Sequence, residues 1–358
     1  MEKLKILGDK TVMTNKVCRS FSAFLVAALV TLGISNPTPV SAATDVYTTP
    51  VGFVKTSITN TLSGNTFTPI GLPLQRMKAD QGLLSAVTSN TITDGTKNWS
   101  SNNWWDPTTL HYVQFLTGSA VGRYYSVATN TANVLSLNVG SENLQTLGVV
   151  AGDRYEIRPF WRIRDAFGDV TNTTLQAAST ANGADNILIF DEATQGYKTV
   201  FPRLTATQTN WFMIGTGIVD NFPLLPDEGI LVQRKTGSLT NLVLVGEVAT
   251  TNFVTVLQQG FNLVGNAFPA GVAISNSQLI AVGTGFQGGS TANGADAIFT
   301  WDGAGWKQVF YRTVVSGTNW FMVGSGITNS LVLDVGQGYL IQNKVSGGLW
   351  TRSLPYTP

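Results

Sequence analysis

The sequence predicts an all-β protein: two related sandwich- or barrel-like modules, with an extra β segment inserted in the first. Two observations lead there. From residue 43 onward, apolar residues come in short, often alternating bursts. Clusters of Gly, Asn, Asp, Ser and Thr part them, and no long stretch keeps a helical period. The second observation is an internal repeat. Ser179–Asp185 reads STANGAD, and so does Ser290–Asp296. Thr209–Met213 (TNWFM) returns unchanged as Thr318–Met322. Gly215–Ile218 (GTGI) returns as Gly324–Ile327 (GSGI), and Gly229–Gln233 (GILVQ) as Gly338–Gln342 (GYLIQ). The offset is 111 residues at first and 109 from Lys198/Lys307 onward, so one two-residue gap aligns the whole stretch.

Residues 1–42 read as a secretory signal. Lys10, Lys16 and Arg19 precede an uncharged apolar run, Phe21–Ile34, and Val40–Ala42 supplies small residues for cleavage. Met13 would open a signal of more usual length. The run is short for a bilayer span. The expectation is therefore a secreted or cell-surface protein, with the periplasm as a further compartment, and no transmembrane segment in the mature chain. The single cysteine, Cys18, lies within the signal, so the mature chain has neither disulfides nor thiolate metal sites. Without residues 1–42 the chain keeps 17 basic and 19 acidic residues, a net charge of −2. No basic stripe suits nucleic acid and no polybasic patch suits a membrane surface.

The first module is expected over 43–84 and 160–250. Val51–Val54 leading to Gly64–Pro73 faintly echoes Val245–Val248 leading to Gly260–Pro269, which places the start of each copy. Residues 85–159 have no counterpart in the repeat and are expected to form a small inserted β domain. His111–Phe115, Gly122–Val127, Val134–Asn138 and Arg154–Ile157 read as its strands. Residues 251–358 form the second module. Within each module, Asp191–Gly196 and Asp302–Gly305 are two lengths of one hairpin turn, where Asp and Gly supply the turn conformations. Loop tips tolerate such length changes. Trp211 and Trp320 recur at matched positions and are expected in the two cores.

Several of these residues resemble a known family. The G-x-N-L-V-G-N-x-x-P opening at Gly260–Pro269 is one element. The paired Asp185/Asp296 and Asp191/Asp302, Tyr197-Lys198 and Trp306-Lys307, and the TNWF strands are others, as is the Ala43–Gly52 start (ATDVYTTPVG). Together they resemble a family of secreted bacterial β-repeat proteins, found especially in Verrucomicrobia and their relatives. The resemblance spans nearly all of the mature chain. No established activity comes with it and no catalytic residues. Many relatives carry a C-terminal sorting segment; this chain ends at Pro355–Pro358 without an apolar tail.

Raw material for catalysis is sparse. His111 is the sole histidine and sits in an alternating strand, and no G-x-S-x-G elbow accompanies it, so no serine triad is expected. Gly283–Gly288 matches G-x-G-x-x-G literally, but the residues after it read as loop rather than helix, so it is expected to be a connection. Asp185 and Asp296 are the candidate metal ligands, calcium being the cation an oxygen-rich loop would take. The plainer expectation is an Asp accepting backbone N–H bonds at a strand entrance. Trp99, Trp104 and Trp105, with Asn102 and Asn103, form the candidate ligand-binding cluster. Exposed indoles stack on sugar faces and amides bond sugar hydroxyls. Here too a plainer expectation stands, indoles that close one end of the inserted domain.

The functional expectation is a secreted or cell-surface, non-catalytic structural or adhesive protein, with a glycan or surface-layer component as partner. The alternative is a secreted carbohydrate-active enzyme, recognisable by a carboxylate pair facing one cleft. An outer-membrane barrel fits poorly, because the strands lack the regular length and aromatic girdles of such barrels. N-terminal sequencing of the exported protein should find a first residue within 41–46. A cytoplasmic product with Met1 or Met13 intact would overturn the expected compartment.

Overall fold

The computed structural model describes residues 50–58, 66–235 and 240–357. The expected signal segment lies outside them. The fold is all-β and antiparallel throughout its named sheets. Among the described residues no helix is long and apolar enough to cross a membrane.

The frame consists of two six-stranded sheets with one strand order. In the first sheet the order is Thr66–Gly71, Gly229–Arg234, Asn186–Asp191, Gly196–Leu204, Thr209–Met213, Gly217–Ile218. In the second it is Gly260–Gly265, Gly338–Asn343, Ala297–Trp301, Trp306–Val314, Gly317–Met322, Gly326–Ile327. Register matches as well: Ile187 faces Val200 where Ile298 faces Val309, and Phe201 faces Phe212 where Phe310 faces Phe321. Each sheet is backed by a two-stranded ribbon, Val51–Ile58 with Thr240–Glu247 and Phe253–Leu257 with Gly348–Arg352. A short bridge also recurs, Trp161–Arg162 with Pro223–Leu224 and Val272–Ala273 with Val332–Leu333, and each is followed by one helical turn.

Alternation decides which side chains fill the space between sheet and ribbon. In the first half, Ile187, Ile189, Val200, Trp211, Ile230 and Val232 of the sheet meet Leu242 and Leu244 of the ribbon. In the second, Ile298, Val309, Trp320 and Ile341 meet Leu257 and Trp350. Trp211 and Trp320 are both fully enclosed. Their backbone amides are also held alike: each N–H donates 2.7 Å to a side-chain oxygen nine residues on, from Asp220 and from Asn329.

The two sheets join through bare backbone. Gly71 pairs with Gly229 in one sheet and Gly265 with Gly338 in the other. A Cβ on Gly71 would lie 2.8 Å from Gly265 Cα, and one on Gly265 would lie 2.7 Å from Gly71 Cα. Gly71 N–H donates to Gly336 O at 3.0 Å, and Gly265 N–H donates to Asp227 O at 2.8 Å. These are equivalent bonds, since 227 and 336 differ by the repeat offset of 109. Phe190, Leu231 and Leu263 close a small apolar cluster beside this joint.

The segment between Thr66–Gly71 and Trp161 folds as an open half-barrel sheet. Its order is Asp80–Leu83, Arg154–Pro159, Thr109–Phe115, Tyr124–Asn130, Val134–Leu137, Thr91–Thr93, Ala86–Val87. Its own core holds Val113, Phe115, Val127, Leu135, Tyr155 and Ile157. The sheet takes in Asp80–Leu83, a little ahead of the expected boundary at 85. That strand is short and polar, so alternation does not reveal it. A buried Arg158 ties the insertion to the first half: its guanidinium donates to Glu156 at 2.5 and 3.0 Å, to Glu247 at 2.6 Å, and to Arg76 O at 2.7 Å.

This packing makes two predictions. Trp211→Ala and Trp320→Ala should each cost about 3–5 kcal/mol in denaturant unfolding, as large-to-small core changes do. Gly71→Ala, which forces backbone apart, should cost about 1–3 kcal/mol. Gly305→Ala, with nothing within 4 Å of its added Cβ, should stay within about 0.5 kcal/mol. Equal stability of the two glycine variants would show that the joint is loose.

Candidate functional site

The tryptophan cluster divides. Trp104 is only 9% exposed and belongs to the core of the inserted sheet. Its ring meets Trp99 edge-on at 6.0 Å and His111 at 5.4 Å. Trp99 is half-buried, and its indole N–H donates to Asp80 Oδ2 at 2.7 Å. Trp105 alone is open, at 44% exposure. Asn102 and Asn103 are exposed as well; Asn102 turns the chain with φ 58°. Two of the three indoles nominated for sugar stacking therefore serve packing. The cause is the strand Thr109–Phe115, which brings His111 and Val113 beneath them. His111 is enclosed, and burial holds its imidazole below the usual pKa.

The repeated heptapeptides are clasped loops. Asp185 Oδ2 accepts the Gln176 N–H at 2.8 Å and Oδ1 that of Lys235 at 2.8 Å; Arg234 Nε lies 3.0 Å from Oδ2. Asp296 repeats the arrangement, with Gln287 N–H and Lys344 N–H each at 2.7 Å. The amine of Lys235 donates to Ala181 O. That of Lys344 donates to Ala292 O and Asn293 O, both at 2.9 Å. A buried carboxylate spanning two backbone amides, with a lysine filling the loop's carbonyl cup, accounts for seven unchanged residues. Both oxygens of each Asp are occupied by the chain itself. Among the described residues no group of three or more His, Cys, Asp or Glu is disposed to hold a metal ion. The Gly283–Gly288 stretch is irregular backbone that leads into more loop, with no helix after it.

One feature with room for a ligand is a cleft of about 960 Å³ where three parts of the fold meet. The inserted sheet contributes Tyr125 and Asn138–Glu142. The second half contributes Val254–Val256, Gln258, Gln259 and Asn262. The first sheet contributes its Asp191–Ala193 turn and Asp227-Glu228. A second cavity, under Trp350 and Arg352, is about 20 Å³, room for a water and no more.

Each wall has a local cause. Asp191–Gly196 is the longer of the two repeated hairpin turns, and its length has a use. Gln195, at φ 52°, reaches the second sheet, where its amide accepts the Phe261 N–H at 2.6 Å and donates to Phe261 O at 3.1 Å. Asp227 and Glu228 are fixed by the joint: Glu228 bridges Val264, as Gln337 bridges Ile70. Asp227 then binds all three parts. It accepts the Tyr124 hydroxyl at 2.6 Å and lies 3.7 Å from the Arg352 guanidinium.

Five carboxylates line the cleft, and their partners set their roles. Glu142 pairs with Arg123 and accepts the Tyr125 hydroxyl at 2.6 Å. Asp191 pairs with Lys198 at 2.8 Å, and Asp227 is taken up by Tyr124 and Arg352. Glu192 and Glu228 have no cation in ion-pair contact among the described residues. Burial raises both; the charges of Asp227 and Asp191 add to it at Glu192, and those of Glu192 and Asp227 at Glu228, which is pushed up to about 8. It accepts one bond, from Leu225 N–H at 3.0 Å. At neutral pH the cleft thus holds Glu228 largely as the neutral carboxyl, with Glu192 on the same lining. Neither residue stands out in the sequence, where Asp and Glu scatter over turns. The available signal is the repeat itself, in which Glu228 replaces the Gln337 amide of the other copy.

No protein-family model, curated protein or solved structure matches this chain.

Two predictions test this geometry. Trp104→Ala should cost about 3–5 kcal/mol, while Trp105→Ala should stay within about 0.5 kcal/mol. Comparable losses would mean that the loop packs as one unit. For Glu228, a folded pKa above the unfolded one means the folded state holds its proton longer. Stability from this group is full below about pH 4.5 and is lost as pH rises toward 8. Glu228→Gln should therefore gain on the wild type progressively from pH 5 to 8 in urea midpoints. A pH-independent difference would show that the carboxyl ionises freely.

Proposed function

We propose that this chain is an extracellular, non-catalytic structural or adhesive protein, built from two copies of one β module, that binds glycan in the three-walled cleft. The single observation behind this reading is the cleft's lining. The side chains of Asn138, Gln258 and Gln259 stand with the Glu192 and Glu228 carboxyls on an open trough of about 960 Å³, and amide and carboxyl groups together bond the hydroxyls of a sugar; the enclosed Asn262 amide is taken up by the Gln258 backbone. Trp105 remains as an outlying exposed ring. The signal segment and the resemblance to secreted bacterial β-repeat proteins support the compartment.

A glycan array, run with the secreted protein in calcium and in chelator, tests the reading. Retention is expected in both. Truncating Glu192, Gln258 and Gln259 together to Ala should weaken binding tenfold or more, about 1.4 kcal/mol, and Trp105→Ala should leave it unchanged. Loss through Trp105 alone would move the site to the tryptophan loop. Loss in chelator would put a cation in it. No retention of any glycan would end the reading.

One observation favours a second reading, a glycoside hydrolase: Glu192 and Glu228 are a carboxylate pair on one cleft. A protonated Glu228 would give its proton to the glycosidic oxygen as the bond to the anomeric carbon breaks. The Glu192 carboxylate would take a proton from the water that bonds to that carbon. Solvent would then return the proton to Glu228. Release of reducing ends by wild type, abolished in Glu228→Gln with binding kept, is the expected signature. Glycan bound but never cleaved would leave the non-catalytic reading alone.

A further inference from the structure

The three-walled cleft is charged out of balance. Among the described residues its lining carries five carboxylates and one cation, Arg123. Glu142 is paired with Arg123 and Asp191 with Lys198, while the Tyr124 hydroxyl and Arg352 serve Asp227. Glu192 and Glu228 are left over. The fold does not require them. Where the first half has Asp227-Glu228 the second has Gly336-Gln337, and Glu192 falls in the hairpin that is two residues shorter at Asp302–Gly305. Gln337 bridges Ile70 as Glu228 bridges Val264, so the backbone contact needs no acid. Glu192 is nevertheless held in place: the Gln195 amide that bonds Phe261 also donates to Glu192 O at 2.7 Å. A half-buried carboxyl without a cation is destabilising, and this trough keeps two. Sugar hydroxyls alone give no reason for that, since an amide bonds a hydroxyl as well as an acid does. A ligand that brings positive charge gives one.

We propose that the cleft takes glycans whose sugars carry free amino groups, with an ammonium on the Glu192 and Glu228 carboxyls and neighbouring hydroxyls on the side chains of Asn138, Gln258 and Gln259. The ligand class named here rests on the proposed glycan reading of the cleft. Those amides favour a sugar over a lysine-rich peptide, because they offer hydroxyl partners along the same trough. Anionic glycans are turned away by the same carboxylates. Proton release marks the pairing. Glu228 is faced by Glu192, by Asp191 with Lys198, and by Asp227 with Tyr124 and Arg352, and Glu142 with Arg123 stands on the wall of the inserted sheet. Burial and the neighbouring acids keep Glu228 protonated in the empty cleft at neutral pH. An ammonium beside it favours the carboxylate, so binding expels a proton.

Titration calorimetry on the secreted full chain, with short oligomers of glucosamine, of N-acetylglucosamine and of galacturonic acid, tests this. At about pH 6.5, where an amine of the α-amino kind is cationic, the glucosamine oligomer should bind about tenfold or more tightly than its N-acetyl form. The galacturonate oligomer should not bind. Buffers of different ionisation enthalpy should show protons released with the glucosamine oligomer only. Glu228→Gln, which copies Gln337 of the other half, should fold as wild type by circular dichroism, lose the proton release and bring the amino and N-acetyl affinities together. Glu192→Gln should weaken the glucosamine oligomer and leave the N-acetyl form unchanged. Equal binding of the amino and N-acetyl oligomers, or a preference unmoved in both variants, would overturn the proposal and leave the glycan reading standing. So would binding of none of these oligomers while other glycans are retained on the array. Binding of oligolysine and of no glycan would overturn both and assign the trough to a basic peptide.

Discussion

The close approach of two backbones at Gly71 and Gly265 is the constraint on which the rest depends. No side chain larger than hydrogen fits there, because each added Cβ would meet the other strand's Cα at under 3 Å. Gly229 and Gly338 repeat the condition one strand away, against Val264 O at 2.8 Å and Ile70 O at 2.9 Å. Glycine serves here through its missing Cβ rather than its conformational freedom, since none of the four needs a positive φ. Contact at backbone distance lets the Gly71 and Gly265 amides bond across the joint. It also fixes the distance between the two sheets to within a hydrogen bond's tolerance.

From that fixed distance the cleft arises. The joint holds Asp227 and Glu228 against Val264, and the insertion, leaving the first sheet just beyond Gly71, folds back over the second half. Gly122 packs against the backbone of Asn252 there, and Val254 N–H donates to Gly122 O at 3.1 Å. The two sheets differ on the side where the insertion lies. On that side the hairpin is longer and carries Glu192, and the joint carries Asp227-Glu228. On the other side the hairpin is short and the joint carries Gly336-Gln337. A neutral amide suffices for the backbone role, as Gln337 shows. The half-buried carboxyl of Glu228 works against stability at neutral pH, and residues that do so are characteristic of binding and catalytic sites.

Much of this frame is legible in the sequence, because it is written twice and by alternation. The all-β class, Trp211 and Trp320 in enclosed positions, and Asp185 and Asp296 accepting backbone N–H bonds all come from local pattern or repeat. Other features depend on chain segments far apart. The strand Asp80–Leu83 is too short and polar to alternate. Trp104 reads like Trp105 in a polar stretch, and only the strand carrying His111 and Val113 decides which of them is covered. The cleft draws its walls from residues near 125, 192, 228 and 258, a grouping no local window contains. The two-residue difference between the hairpins looks like loop tolerance until Gln195 is seen bonding Phe261.

Native-state hydrogen exchange at the Gly71 and Gly265 amides tests the central claim most directly. If the two sheets are held as one body by this joint, both amides should exchange only through global unfolding. They should do so at the same free energy as core amides of the two sheets such as Val200 and Val309. Faster exchange at the two glycines, with the sheets opening at separate free energies, would contradict the account: the sheets would then be independent neighbours, and the cleft between them would have no fixed shape.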